Sequence, residues 1–431
     1  MLSPTPAPAT HHRPAPAPAT RQRLGAVLAA AFLGWMFDGL EMGIFPLVAR
    51  PALQQMQASL GGTVTDAYVG DWMGIITATF LLGAALGGIV FGWLGDKIGR
   101  VRALSLSILA YSLFTGLTYF AQTPWHLAGM RFVAALGMGG EWALGVALVM
   151  EVWPEKYRPF LAGAIGAAAN VGFLLIAIIG INFRVTQDSW RWVALVGAAP
   201  ALLTFFIRLF VPESEKWQHA QSIATAPAKP LREIFGPALR KKTLLATVFC
   251  GVVLIGTWGS VQWLPAWADQ LTHGKIPEAK AYTQALTAFG AVIGSIFGAW
   301  LTARAGRRAA YFLLCLGALV SCGVLYRTID GYGTPFLSMV FLVGVLSAAF
   351  YGWIPLYLPE LFPTRVRATG QGFAYNAGRV LAAAGALYTG QLMQQFNGSF
   401  ARAGAIITLV YLVGMAAIWF APETKGQPLP E

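Results

Sequence analysis

WLGDKIGR at residues 93–100 recurs as WLTARAGR at residues 300–307, and this echo decides how the chain is organised. Two further pairs keep nearly the same distance. EVWPEKYR at 151–158 returns as ELFPTRVR at 360–367, and VPES at 211–214 returns as APET at 421–424. The three offsets are 207, 209 and 210 residues, in the same order along the chain. Each motif closes an apolar run, so the repeat unit is a set of runs with their connections. A parallel duplication of one unit predicts two related halves facing each other.

Working outward from the motifs, the runs themselves are membrane spans. Hydrophobic residues make up 56% of the 431 residues and charged residues 11%. Mean hydropathy is +0.60. A soluble domain needs about 25% charged residues to solvate its surface, so the surface here is read as facing lipid. A span needs about 20 apolar residues. Such runs fall at 24–48, 70–94, 103–122, 125–151, 159–181, 190–211, 242–268, 281–302, 309–327, 335–358, 367–390 and 401–421. The expected fold is all-α, with twelve transmembrane helices in two pseudo-symmetric six-helix bundles at 24–211 and 242–421. A polar linker at 212–241 separates them. A Pro/Ala-rich tail at 1–23 reads as disordered, and a short tail follows at 422–431.

Lys and Arg set the orientation. With the N-terminus inside, 21 of the 30 fall in the tail, the even-numbered connections and the C-terminal tail; 7 fall on the other side and 2 lie within spans. Both termini are therefore expected in the cytoplasm. The net charge of +12 is dispersed between apolar runs rather than gathered on one arm, which argues against nucleic acid. Cys250, Cys315 and Cys322 lie inside apolar runs and read as small hydrophobes. No HExxH, CxxC pair or P-loop is present, so no metal, cofactor or ATP-driven step is expected, nor an enzyme. His11 and His12 read as part of a solvated tail.

At these residues the chain resembles the major facilitator superfamily. Gly92–Arg100 matches that superfamily's signature between spans 2 and 3. The PES and PET closings and the E-x-x-P-x-x-x-R turns are similar to those of sugar porters and organic-acid symporters. FLGWMFDGLEMGIF at 32–45 and RFVAALGMGGEWALGVALVMEVWPEKYR from Arg131 resemble the sialate/lactate proton symporters and related aromatic-acid and nicotinate carriers, whose first span carries a D-G-x-[DE] element. The His-containing span 7 of fungal lactate carriers is absent, which counts against lactate itself. The resemblance implies alternating access, with spans 1, 4, 7 and 10 lining the cavity. It also implies gate contacts at Gly92, Asp96, Arg100, Glu151, Arg158, Arg307, Glu360 and Arg367 that hold the outward-open state. Positive-inside anchoring is the alternative for the arginines.

A charge inside the hydrocarbon is costly and marks function by default. Asp38, Glu41, Arg131, Glu141 and Arg379 stand well inside spans. At 1.5 Å per residue, Glu41 and Arg131 lie roughly 10 and 9 Å below the same surface, so they can pair. Asp38 shares a face with Glu41 at i, i+3; Glu141 lies deeper. Asp38, Glu41 and Glu141, modulated by Arg131, are the expected proton-coupling groups; a fixed structural ion pair is the alternative. Arg379 with Tyr375, one turn apart, and Asn376 suits a carboxylate, unless the guanidinium is tied to helix-end carbonyls. Trp258, Gln262 and Trp263 of span 7, Tyr351 and Tyr357 of span 10, and Asn170 complete the expected substrate site, with Gln284 a weaker candidate and Trp267 an interface anchor. GMGGE at 137–141 lies inside a span and is no dinucleotide loop.

The expected function is proton-coupled symport of a small organic acid, such as a monocarboxylate, a sialate-like sugar acid or an aromatic acid. A sugar or polyol porter is the nearest alternative, followed by a drug:proton antiporter and a non-transporting sensor. The expected setting is a bacterial inner membrane, with the protein monomeric and its partners limited to substrate, protons and lipid.

Overall fold

The computed structural model describes residues 21–62, 66–182, 188–222, 229–272, 275–276, 279–396 and 399–431. The first twenty residues of the Pro/Ala-rich tail, with His11 and His12, and residues 223–228 of the linker lie outside this set. The spans are α1 (Arg21–Ser59), α2 (Asp66–Ile98), α3 (Arg100–Leu117), α4 (Pro124–Val152) and α5 (Arg158–Asn182), then α6 in two pieces (Trp190–Val196 and Ala201–Phe210). The second half has α7 (Arg240–Gly259, continued by Leu264–Leu271), α8 (Ala279–Ala305), α9 (Arg307–Thr328) and α10 (Thr334–Ala348 and Phe350–Leu361). It ends with α11 (Arg367–Gln395) and α12 (Phe400–Ile407 and Val410–Ala417). This is the twelve-helix, two-bundle fold.

Among the described residues, ten helices are long and apolar enough to cross a bilayer by length and composition. The two exceptions have separate causes. α6 is apolar over Trp190–Leu203, which among the described residues is short of a full span. α11 has the length, at 29 residues, but Arg367, Gln371, Asn376 and Arg379 lower its hydropathy.

Packing repeats between the halves. α1 lies against α5 as α7 lies against α11, and α2 against α4 as α8 against α10. The halves meet through α2 on α11 and α5 on α8, a pair of contacts that the same pseudo-twofold relates. Small residues let these backbones touch. A Cβ built on Gly92 would stand 2.8 Å from the Ala368 carbonyl oxygen. With no water in the hydrocarbon to drive apolar helices together, such close van der Waals contact is what joins them.

The turns after α2 and α8 end on glycines in the left-handed region, Gly99 at φ 108° and Gly306 at φ 89°. A side chain there would be strained. Each turn delivers the N-terminus of the next helix to an acid from the end of its own half. Glu213 accepts from the Arg100 N–H at 2.8 Å, and Glu423 accepts from the Arg307 N–H at 3.0 Å and the Arg308 N–H at 3.1 Å. The PES and PET repeats are thus helix caps, a role composition does not reveal. The polar linker carries short helices at Glu215–Ser222 and Pro230–Ile234.

Candidate functional site

A cavity lies between the halves, with about 680 Å³ of atom-free space that includes its open side. Its wall includes Trp35 and Met42 of α1, Asn170 and Phe173 of α5, Trp258 and Gln262 around the end of α7, Ser347 and Tyr351 of α10, and Tyr375 and Arg379 of α11. Thr287 and Ala291 bring in α8. The cavity runs on past Pro265, Gln284 and Ala288, away from the turns that carry the repeated motifs. The expected wall of spans 1, 4, 7 and 10 is corrected on one point. α4 contributes no wall residue, because it is packed inside its own half, and α5, α8 and α11 take its place.

The local fold explains which side chains face the cavity. α7 stops at Gly259 and Ser260 leaves helical geometry, at φ −134° and ψ −67°. Trp258 and Gln262 flank this break and reach the cavity. Trp263 does not reach it: its indole N–H donates at 3.0 Å to the Trp258 carbonyl that the break leaves free, and its ring packs near Phe400. Tyr357 is also displaced from the expected site. It is fully buried, and its hydroxyl donates to the Pro422 carbonyl at 2.7 Å. Trp267 is no interface anchor; it is buried against Tyr326 and Phe336.

Arg379 is buried at the wall, its guanidinium 5.1 Å from the Tyr375 ring centroid. Nη1 donates to Asn376 Oδ1 at 3.0 Å. Asn376 itself donates to the Gly372 carbonyl at 2.9 Å and across the halves to the Gly139 carbonyl at 3.2 Å. Asn376 therefore positions Arg379 and does not face the cavity. No acid of the described residues forms a salt bridge with Arg379, which leaves donors of its planar fork for a ligand.

The membrane acids divide into two kinds. Glu41 is paired: Arg131 Nη1 donates to it at 2.9 Å and the Thr115 hydroxyl at 3.3 Å. Arg131 also lies over Phe45 and Phe80, at 4.6 and 4.9 Å from their centroids. Asp38 and Glu141 are fully or almost fully buried, and among the described residues no N–H or O–H reaches any of their four carboxyl oxygens. What each meets is the other's carboxyl group. An ionised carboxylate only accepts hydrogen bonds, so this contact becomes a bond only when one member carries a proton. Arg379 lies within electrostatic reach of Asp38.

Sequence reasoning did not foresee the meeting of Asp38 with Glu141, nor two indoles beside it. Trp35 and Trp142 are buried with N–H groups that have no partner among the described residues. Trp142 stacks on Tyr375 of the other half at 4.4 Å. Trp35 stands one turn before Asp38, a spacing that could have flagged it.

At the far end of the cavity the halves are locked together. Asp96 Oδ2 accepts from the Thr369 N–H at 2.8 Å and its hydroxyl at 2.6 Å, and Oδ1 accepts from Arg100 at 2.7 Å. Arg100 Nη2 donates at 2.6 Å to the Thr364 carbonyl of the other half. Glu151 accepts from Arg100 at 3.2 Å and from Arg367 at 2.8 Å. Within the repeated turns, Glu151 does not pair with Arg158, nor Glu360 with Arg367. Arg158 pairs with Glu155 at 2.9 Å, and Glu360 holds Arg307 through two bonds of 2.9 and 2.6 Å. The chain turns sharply at Trp153–Pro154, so Arg158 meets the acid one turn before it rather than the one at the helix end.

The sequence profile of the Major Facilitator Superfamily matches residues 26–386. A probable 4-methylmuconolactone transporter of Cupriavidus pinatubonensis is 30% identical over 402 residues, covering 92% of this chain and 90% of that protein. A cis,cis-muconate transport protein of Acinetobacter baylyi is 27% identical over 410 residues, covering 92% and 94%. The proton:xylose symporter XylE superposes with a TM-score of 0.75 at 16% identity, over 94% of this chain and 98% of that one. With matching motifs, matching fold and a matching profile over most of its length, the chain belongs to the Major Facilitator Superfamily, as a multi-pass membrane transporter.

Proposed function

We propose that this transporter carries a small organic acid together with protons by alternating access, and that the acid bears an unsaturated or aromatic frame. The observation that carries the reading is the placement of Arg379 on the cavity wall beside the donor-less Asp38–Glu141 pair. Arg379 is the carboxylate-binding group, and Trp35, Phe173, Trp258, Tyr351 and Tyr375 give flat apolar surfaces for the rest of the ligand. The names of the muconolactone and muconate relatives support a ligand of this kind.

Coupling follows from charge balance. With the cavity empty, Asp38 offsets the charge of Arg379. An anion bound to Arg379 adds a negative charge beside two carboxyl groups in a dry site. With Glu141 already protonated in the empty state, a second proton, taken by Asp38, restores neutrality, and by linkage each ligand then promotes binding of the other. Glu41 and Arg131 hold the geometry of α1 on α4. Gly92, Asp96, Arg100, Glu151, Arg307, Glu360 and Arg367 form the gate, with Arg158 at its edge. With the termini inside, as the Lys and Arg counts favour, the gate is cytoplasmic and the cavity faces outward. Residues 24–211 and 242–421 are the two moving bodies of a monomer in a bacterial inner membrane.

The test is uptake into proteoliposomes under an imposed pH gradient, over a panel of aromatic and aliphatic acids, sugars and polyols. An acid driven uphill by inward protons is the expected result. Asp38→Asn abolishes that accumulation and spares counterflow of labelled for unlabelled substrate. Accumulation unaltered by Asp38→Asn sinks the coupling scheme. Uptake of sugars alone would favour the second reading, for which the amides of Asn170, Gln262 and Gln284 offer partners.

A further inference from the structure

A groove on the outer surface runs between the start of α7 and the end of α12, lined by Arg240, Lys241, Leu244, Leu245, Val248 and Phe420. It is separate from the transport cavity and plays no part in the mechanism above. Its composition is graded along its length. Two cations stand at its mouth, and below them the wall is wholly apolar, with Leu244 and Phe420 more than half exposed.

Several basic groups at this end are engaged: Arg100 and Arg367 with Glu151, Arg307 with Glu360, Arg365 with Glu233, Arg308 with the Trp419 carbonyl and Lys425 with the Arg304 carbonyl. Others, such as Arg102 and Lys229, are not, and what sets Arg240 and Lys241 apart from these is the apolar groove they head. Among the described residues, the Arg240 and Lys241 side chains have no hydrogen bond and no ion pair. The acids nearest in sequence are committed elsewhere, Glu233 to Arg365 and Glu423 to the first N–H groups of α9.

We propose that this groove binds one anionic phospholipid, with its phosphate between Arg240 and Lys241 and an acyl chain along Leu244, Leu245, Val248 and Phe420. The dimensions agree. Arg240 to Val248 spans eight residues, about 12 Å along the helix, which takes the site from the headgroup layer into the hydrocarbon. A free anion would use the charges and leave the apolar wall idle. An acidic protein segment would need the wall to stand in water, whereas the exposed leucines and Phe420 are continuous with the lipid-facing surface. A lipid uses both ends of the gradient.

The experiment is native mass spectrometry of the intact transporter in mixed micelles, titrated with phosphatidylglycerol or with phosphatidylcholine of the same chains. Tight retention of one phosphatidylglycerol, well above phosphatidylcholine, is the expected result. Arg240→Gln with Lys241→Gln weakens that step by about thirtyfold, at roughly fivefold for each basic group near the surface. Val248→Trp fills the apolar half and lowers retention with both cations intact. Arg102→Gln with Lys229→Gln, which removes two unpaired cations elsewhere, leaves it unaltered. Equal retention of the two lipids by the unmodified protein overturns the proposal, and that arm needs no variant to fold. So does an equal loss in the Arg102/Lys229 control, which would mean diffuse attraction. Displacement by glycerol phosphate at concentrations equal to the lipid's would also overturn it, by marking a site for free anions.

Discussion

Glu151 and Arg367, from different halves and 216 residues apart, form an ion pair of 2.8 Å with both side chains sealed from solvent. The duplication offers a second such bridge, from Glu360 to Arg158, and the structure does not make it. Glu360 is held by Arg307 within its own half. Asp96 shows the same one-sidedness: it reaches the start of α11, whereas the residue in its place in the second half is Ala303. The lock between the halves is built once, from first-half acids.

A lock built once has no second copy to hold the halves together when Asp96 is changed. Asp96→Asn keeps the shape but loses the charge that Arg100 and the Thr369 N–H are aimed at. The gate should open and the cavity close on its other side. A cysteine placed at Gln262 reads this out, because Cys250, Cys315 and Cys322 are buried and give little background. Labelling of that cysteine by an impermeant maleimide should fall several-fold in Asp96→Asn; equal labelling would place the lock elsewhere.

Arg379 has its rotamer fixed by Asn376. Asn376→Ala removes that bond and leaves the guanidinium in place. The apparent KM for the transported acid should rise about tenfold, the value of one hydrogen bond to a charged group, with the maximal rate less affected. Arg379→Lys keeps the charge and loses the planar fork, so it should raise KM further. A KM unaltered by both changes would remove Arg379 from the binding site.

Glu41 and Asp38 stand one turn apart and should fail in different ways. Glu41→Gln leaves the buried Arg131 charge without its partner. Breaking a pair of this kind costs roughly 3–5 kcal/mol, so the melting temperature should drop while uphill uptake by the surviving folded protein persists. Asp38→Asn removes a group with no donor, so stability should hold and coupling should go. Thermal unfolding and uptake measured on both variants separate the roles, and identical behaviour would refute the division.

The cap at α9 adds a pH signature outside the bilayer. Burial raises the Glu423 carboxyl, but the N–H groups of Arg307, Arg308 and Lys425 outweigh it and hold it below its ordinary value of 4.5. A group depressed in the folded state stabilises above its unfolded value, and that contribution is lost as pH falls through the folded value. Melting temperatures of the parent protein and of Glu423→Gln should therefore differ near neutral pH and converge as pH falls below 4.5 and through the lowered folded value. A constant gap down to the acid limit would argue against the cap.

Much of this was legible in the chain. Composition and the twelve apolar runs give the fold class, because a surface with so few charges has to face lipid. The three echoed motifs give the duplication. Matching depths on α1 and α4 bring Glu41 and Arg131 together, because a helix converts residue number into height at a fixed rise.

Azimuth was harder. The sequence alone determined how deep each polar group lies and which helix carries it; only the tertiary structure decided what it faces. Asp38 meets Glu141 because α1 packs against both α4 and α5. Trp263 and Tyr357 turn from the cavity because a break in α7 and the docked C-terminal segment supply other partners. Arg158 finds Glu155 because the chain turns at Pro154. Depth is a local property of one helix, whereas partnership is set by the rotation of each helix against its neighbours, which many weak contacts fix together.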